Sequence, residues 1–161
     1  MKIIIIITII LLFGVIGYYQ KQRYKKQKEM LLYIKEFVEF YQINVDLYNN
    51  NLVEIINKYI IMQNNKNAYF NNIFTKYDNI YIFNTKTIDD YIIYKNIRHE
   101  LESLFNDIGK RDKNNEIKML SQAKESIDKA IQDNDSDEKI KGDLYFKIWL
   151  AVGIVIAILV W

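Results

Sequence analysis

His99 is the chain's single histidine and the first side chain to test for chemistry, because imidazole titrates near neutral pH. It stands between Arg98 and Glu100. A zinc-protease helix needs two histidines flanking a glutamate, and a di-iron bundle needs Glu-x-x-His pairs; neither pattern is present. The chain has no cysteine, which excludes disulfides, thiolate metal sites and redox pairs. It also lacks a glycine-rich phosphate loop and a serine beside a recognisable base. No carboxylate lies within an apolar run that would raise its pKa, so Glu100 and Glu102 are the nearest approach to a working acid pair. The expectation is no catalytic residue, no metal and no cofactor, with His99 an exposed or hydrogen-bonded structural residue.

A second chemistry-bearing group is the basic cluster Lys21, Arg23, Lys25, Lys26 and Lys28. Such a cluster suits nucleic acid or an anionic lipid surface. The formal net charge of +2 is too small to favour nucleic acid, and the Tyr and Phe residues fall mainly on apolar faces, where core packing explains them better than base stacking. Position decides the matter in favour of the lipid bilayer, because the cluster directly follows an uncharged stretch, residues 3–19. About 17 apolar residues are the lower limit for a membrane-spanning helix. The isoleucine-rich run disfavours helix in water, yet in lipid a single span must satisfy its own backbone and helix is the form that does so. A cleaved signal peptide competes, with Lys2 as its basic start and a cut after Gly17. The five cations downstream outweigh Lys2 and hold that side in the cytoplasm, which favours a retained anchor.

Residues 148–161 form a second apolar stretch. Extended back to Leu144, with Lys147 reaching the headgroups, it supplies about 18 residues or roughly 27 Å, and Trp161 would occupy the far interfacial belt. Lys139, Lys141 and Lys147 mark its near side as cytoplasmic.

Between these ends the chain has no proline and two glycines, Gly109 and Gly142, so little interrupts long helices. Leu31, Ile34, Val38, Tyr41, Val45 and Tyr48 recur at helical spacing opposite Lys35, Glu36, Glu39, Gln42 and Asp46, and nothing separates this helix from the first span. Asn50 or Asn51 would cap a second helix, about 52–62, with Glu54 answering as in a capping box. A third helix is expected over 68–77. Ile80, Tyr81, Ile82 and Phe83 lack a convincing partner strand, so 78–86 is read as loop or helix. Thr87 and Asp90 form a capping signature for a helix running to Ile108. Gly109 ends it and Asp112 caps the next, whose face is Ile117, Leu120, Ala123, Ile127 and Ala130. The acidic run Asp133, Asp135, Asp137 and Glu138 reads as a solvated face, with Gly142 permitting a kink. The fold class expected is all-α: a transmembrane helix at 1–19, a cytosolic helical bundle at 20–143 and a transmembrane helix at 144–161.

Two local stretches give this layout a relative. Phe105-Asn106-Asp107-Ile108-Gly109-Lys110-Arg111-Asp112 is similar to a Leu-Gly-x-x-Asp turn, carried here by Ile108, Gly109 and Asp112. Tyr48 with Leu52-Val53-Glu54-Ile55 is similar to a Tyr…Thr-Pro-Leu-x-Glu-Ala segment, carried by Leu52 and Glu54, with Asn50-Asn51 in place of Thr-Pro. With the two spans, these resemble stage III sporulation protein AB of endospore-forming bacteria, a family that usually has Gln where Glu116 stands. The resemblance implies a non-enzymatic membrane component of the channel built between mother cell and forespore during engulfment, in the mother-cell membrane around the forespore. It implies a cytosolic part like the F-type platform proteins of type II secretion. The implied partners are the stage III sporulation AA protein, a secretion-type ATPase, and other products of the same operon. The alternative is an unrelated two-span scaffold or holin-like protein.

Overall fold

A chain without proline folds as its helical patterns allow, and the computed structural model, which describes residues 2–48, 52–63, 73–77 and 80–160, is all-α with one two-stranded hairpin among them. The elements are α1 (Lys2–Tyr48), α2 (Leu52–Gln63), β1 (Phe74–Tyr77), β2 (Ile80–Phe83), α3 (Thr85–Tyr91), α4 (Lys95–Asp107), α5 (Lys113–Asp137), a π-helical turn (Glu138–Gly142) and α6 (Asp143–Val160). They form two compact units, Met1–Glu29 with Gln132–Trp161, and Met30–Ile131. By length and composition, two of the helices are apolar enough to cross a membrane: α1 near the N-terminus, and the helical run ending in α6.

In the first unit α1 and the C-terminal helices run antiparallel. Lys28 Nζ lies 2.8 Å from Asp135 Oδ1, and Lys21 Nζ 2.7 Å from Asp143 Oδ1. Between these ion pairs Gln27 and Asn134 are both 0% exposed. Their burial is tolerable because their polar atoms are used: Gln27 donates to Asn134 Oδ1 at 2.8 Å, and Asn134 donates to the Tyr24 carbonyl at 3.0 Å. In the apolar stretch, closeness comes from small residues. A Cβ on Gly17 would stand 3.1 Å from the Phe146 Cα, and one on Gly153 would stand 2.8 Å from Phe13 Cβ. Phe13 stacks on Trp149 beside this contact, ring centres 6.0 Å apart. Each glycine thus admits a bulky neighbour from the opposite helix. Gly14 meets nothing within 4 Å and takes no part.

The second unit is built on an aromatic centre. Phe37 of α1 meets Phe74 at 5.0 Å, Tyr59 at 5.2 Å and Phe105 at 5.9 Å between ring centres, and Phe83 stacks on Phe105 at 3.9 Å. Leu31, Ile34, Val38, Tyr41 and Val45 form the buried face of α1 that the periodicity predicts. Its polar face is answered by α5: Lys124 pairs with Glu39 at 2.8 Å, Gln42 donates to Ser121 at 3.1 Å, and Lys35 pairs with Asp128.

Three expectations change. Residues 73–77 are not helix: β1 pairs antiparallel with β2, Phe74 opposite Phe83 and Tyr77 opposite Ile80, so 80–83 is a strand as well. The hairpin brings Phe74 and Phe83 onto Phe105, and Asn84 N–H closes its base on the Ile73 carbonyl at 2.7 Å. Thr87 does not open the helix that reaches Ile108; it is buried inside α3, and the chain is non-helical at 92–94 before α4 begins. Ile88 and Ile92 are both in the core, and Arg98 spans the gap, donating to the Ile92 carbonyl at 2.6 Å and pairing with Asp89 at 2.9 Å. The acidic run is not merely solvated, since Asp135 and Asp137 hold Lys28 and Lys141. The proposed caps Asn50 and Asn51, and the segment 68–72 of the expected third helix, lie outside the described residues.

Gly14→Ala and Gly153→Ala gain the same helix propensity, so their difference reports packing. Gly153→Ala is expected to be about 1–3 kcal/mol less stable than Gly14→Ala by thermal unfolding in detergent; the reverse order would contradict the glycine contact.

Candidate functional site

The residues singled out by sequence fall in two places, one in each unit. In Met30–Ile131, α4 ends on buried Leu104 and Phe105, and Ile108, also buried, returns its N–H to the Leu104 carbonyl at 2.9 Å. Gly109 then adopts φ +78°, the left-handed conformation that side-chain-bearing residues avoid. Space imposes the same choice, because a Cβ there would meet Leu52 Cβ and Cδ2 at 3.1 Å. Leu52, the first residue of α2, is therefore the lid on the turn. Glu54, in the first turn of α2, pairs with Lys58 at 2.9 Å.

Asp112 starts α5: its Oδ1 accepts the Asn115 N–H at 3.2 Å. The Asn115 side chain and then this backbone bond hold the Asp112 carboxyl below the ordinary carboxylate value. One helical turn in, Glu116 is only 2% exposed and accepts the Gly109 N–H on Oε1 at 2.7 Å. Burial, and then the charge of Glu116, push the Tyr41 hydroxyl well above its ordinary value, so it stays protonated. Sequence reasoning placed the turn but not its latch. A glutamate in a charged helix start gives no sign that it bends inward; the available hint was its position seven residues after a glycine that leaves an N–H to satisfy.

In the other unit Lys21, Arg23, Lys25, Lys26 and Lys28 do not act alike. Lys21 is held by Asp143, which raises the lysine and lowers the aspartate, so both remain ionised around neutrality. Lys28 is held by Asp135. Arg23, Lys25 and Lys26 are exposed, and the Lys26 ammonium lies 6.0 Å from the centre of the Tyr19 ring.

His99 is exposed and its Nδ1 lies 3.4 Å from Glu102. A groove of about 220 Å³ between α4 and α5 has an apolar floor, including Leu101, Leu104 and Ile127, and its rim residues Asp107 and Arg111 pair with each other at 2.8 Å. Among the described residues no three His, Cys, Asp or Glu side chains gather as a metal would require.

Glu116→Ala leaves the Gly109 N–H without its acceptor and is expected to cost about 1–3 kcal/mol. Glu116→Gln keeps an acceptor oxygen and should remain close to the parent. Gly109→Ala should lose at least the left-handed penalty of about 1–2 kcal/mol. Thermal unfolding of the three variants checks the order, and equal losses for Glu116→Ala and Glu116→Gln would remove the latch.

No curated protein and no solved structure matches the chain. The family model for stage III sporulation protein AB matches residues 2–161, taking in both apolar helices, the Gly109 turn and the segment around Leu52. The chain belongs to the stage III sporulation protein AB family.

Proposed function

We propose that this protein is a non-enzymatic, two-span membrane component of a sporulation-specific channel between mother cell and forespore. In this reading it is a platform on which a secretion-type ATPase, the stage III sporulation AA protein, and other products of the same operon dock. The observation that carries it is the family match over residues 2–161. Two helices apolar enough to span a membrane support it. The same match favours this reading over an unrelated scaffold or holin-like protein.

The proposed division of labour follows from chemistry. The paired apolar helices hold the protein in the mother-cell membrane around the forespore. The unit Met30–Ile131 presents charged helix faces on the cytoplasmic side, where an ATPase can engage them. The Gly109 turn fixes how α4 hands over to α5 in that unit, so Leu52, Glu54, Ile108, Gly109 and Asp112 shape the platform rather than react.

The AA protein is expected to co-purify with the full chain from sporulating cells. Robust sporulation and intact assembly of the complex in a deletion strain would sink the proposal. Orientation is tested separately. Replacing Lys21, Arg23, Lys25, Lys26 and Lys28 with neutral residues should weaken the cytoplasmic placement of the middle segment; unchanged protease protection of that segment would contradict the charge argument.

A further inference from the structure

Within Met1–Glu29 and Gln132–Trp161, the cations following the apolar stretch divide into two kinds. The Lys28–Asp135 and Lys21–Asp143 pairs bracket residues 22–27 on α1 and 136–142 on the opposite strand of helix. Because the helices run antiparallel, Arg23, Lys25 and Lys26 stand at the same height as Lys139, on the other helix. All four are exposed.

Three carboxylates at this height are already committed. Asp135 holds Lys28, Asp143 holds Lys21, and Asp137 holds Lys141 at 2.7 Å. Glu138 is half-buried and contributes to the field on Lys21. Arg23, Lys25, Lys26 and Lys139 form no salt bridge among the described residues. They stand just beyond the exposed rings of Tyr18 and Tyr19, and Lys26 lies over the Tyr19 ring. Aromatic rings of this kind favour the headgroup level of a bilayer.

We infer that Arg23, Lys25, Lys26 and Lys139 form a collar, drawn from both ends of the chain, that binds anionic lipid headgroups. This rests on the two-span reading. Ion pairs consume Asp135, Asp137 and Asp143, which would otherwise neutralise the collar, and the adjoining apolar helices deliver it to the surface where phosphate groups are concentrated. The partner is a lipid surface and not free phosphate, since four cations spread around a helix pair enclose no pocket for a single small anion.

The test uses the full chain in vesicles of phosphatidylcholine with and without phosphatidylglycerol. It reads the relative association of spin-labelled phosphatidylglycerol over spin-labelled phosphatidylcholine. Each replacement among Arg23→Gln, Lys25→Gln, Lys26→Gln and Lys139→Gln is expected to lower this preference by up to about five-fold, the equivalent of about 1 kcal/mol per cation. The quadruple variant should lose most of it. Neutralising a pair together, Lys28→Gln with Asp135→Asn, should leave it unchanged, and raising salt should weaken it. An unchanged preference in the quadruple variant, or full competition by soluble inorganic phosphate, overturns the collar. Should the quadruple variant lose its helical circular dichroism, the Lys139→Gln single variant decides. Extraction of the chain from the vesicles by alkaline carbonate overturns the two-span reading itself, whereas a retained chain without lipid preference overturns the collar alone.

Discussion

In the two-span reading proposed above, backbone amides in hydrocarbon have no water to bond, and that constraint would organise Met1–Glu29 with Gln132–Trp161. It turns an isoleucine-rich run, a poor helix former in water, into part of a 47-residue helix. It lets Thr8 sit in the apolar stretch by donating its hydroxyl to the Ile4 carbonyl at 2.8 Å. Because lipid is as apolar as the side chains, the two helices gain little from apolar burial alone and depend on fit. Gly17 and Gly153 supply it by admitting Phe146 and Phe13. Outside the apolar stretch water returns, and so do polar contacts. The buried Gln27–Asn134 pair then sets which residues lie opposite one another, since a one-residue slip would bury both amides unpaired.

In Met30–Ile131 a different glycine solves a different problem. Helix α4 must stop, turn and hand over to α5 without leaving the Gly109 amide unpaired. Gly109 takes the left-handed conformation under Leu52, and Glu116 reaches back from α5 to accept its N–H. One carboxylate therefore ties the end of one helix to the start of the next, while Asp112 caps α5 from outside. The aromatic centre about Phe37 gathers the rest of the unit, including the hairpin through Phe74.

What the sequence made legible was what local pattern determines. The two apolar ends stand out by hydropathy, the face of α1 by its spacing, and Gly109 with Asp112 by cap chemistry. Less visible was whatever tertiary packing decides. Phe74 to Tyr77 and Ile80 to Phe83 are rich in β-branched and aromatic residues and lie two residues apart, a hairpin spacing. Asp78-Asn79 lacks the glycine that usually announces such a turn, and a helical neighbourhood concealed the strands. The break between α3 and α4 carries no proline or glycine, so nothing in the local sequence announces it. Glu116 looked like a surface residue because composition shows charge and not direction.

The π-helical turn at Glu138–Gly142 has one more consequence. Counted from buried Asn134 at 3.6 residues per turn, the positions facing α1 should be Lys141, Tyr145, Ile148 and Val152. All four are exposed. The residues one place later, Gly142, Phe146, Trp149 and Gly153, are the ones that meet α1 or lie buried. The wide turn therefore acts as a phase shifter: it absorbs one residue and rotates everything after it by about 100°. Two helical patterns that are out of step share a single face because of it. At this point of the chain, losing one residue changes which side of the helix the partner sees far more than it changes the helix's length.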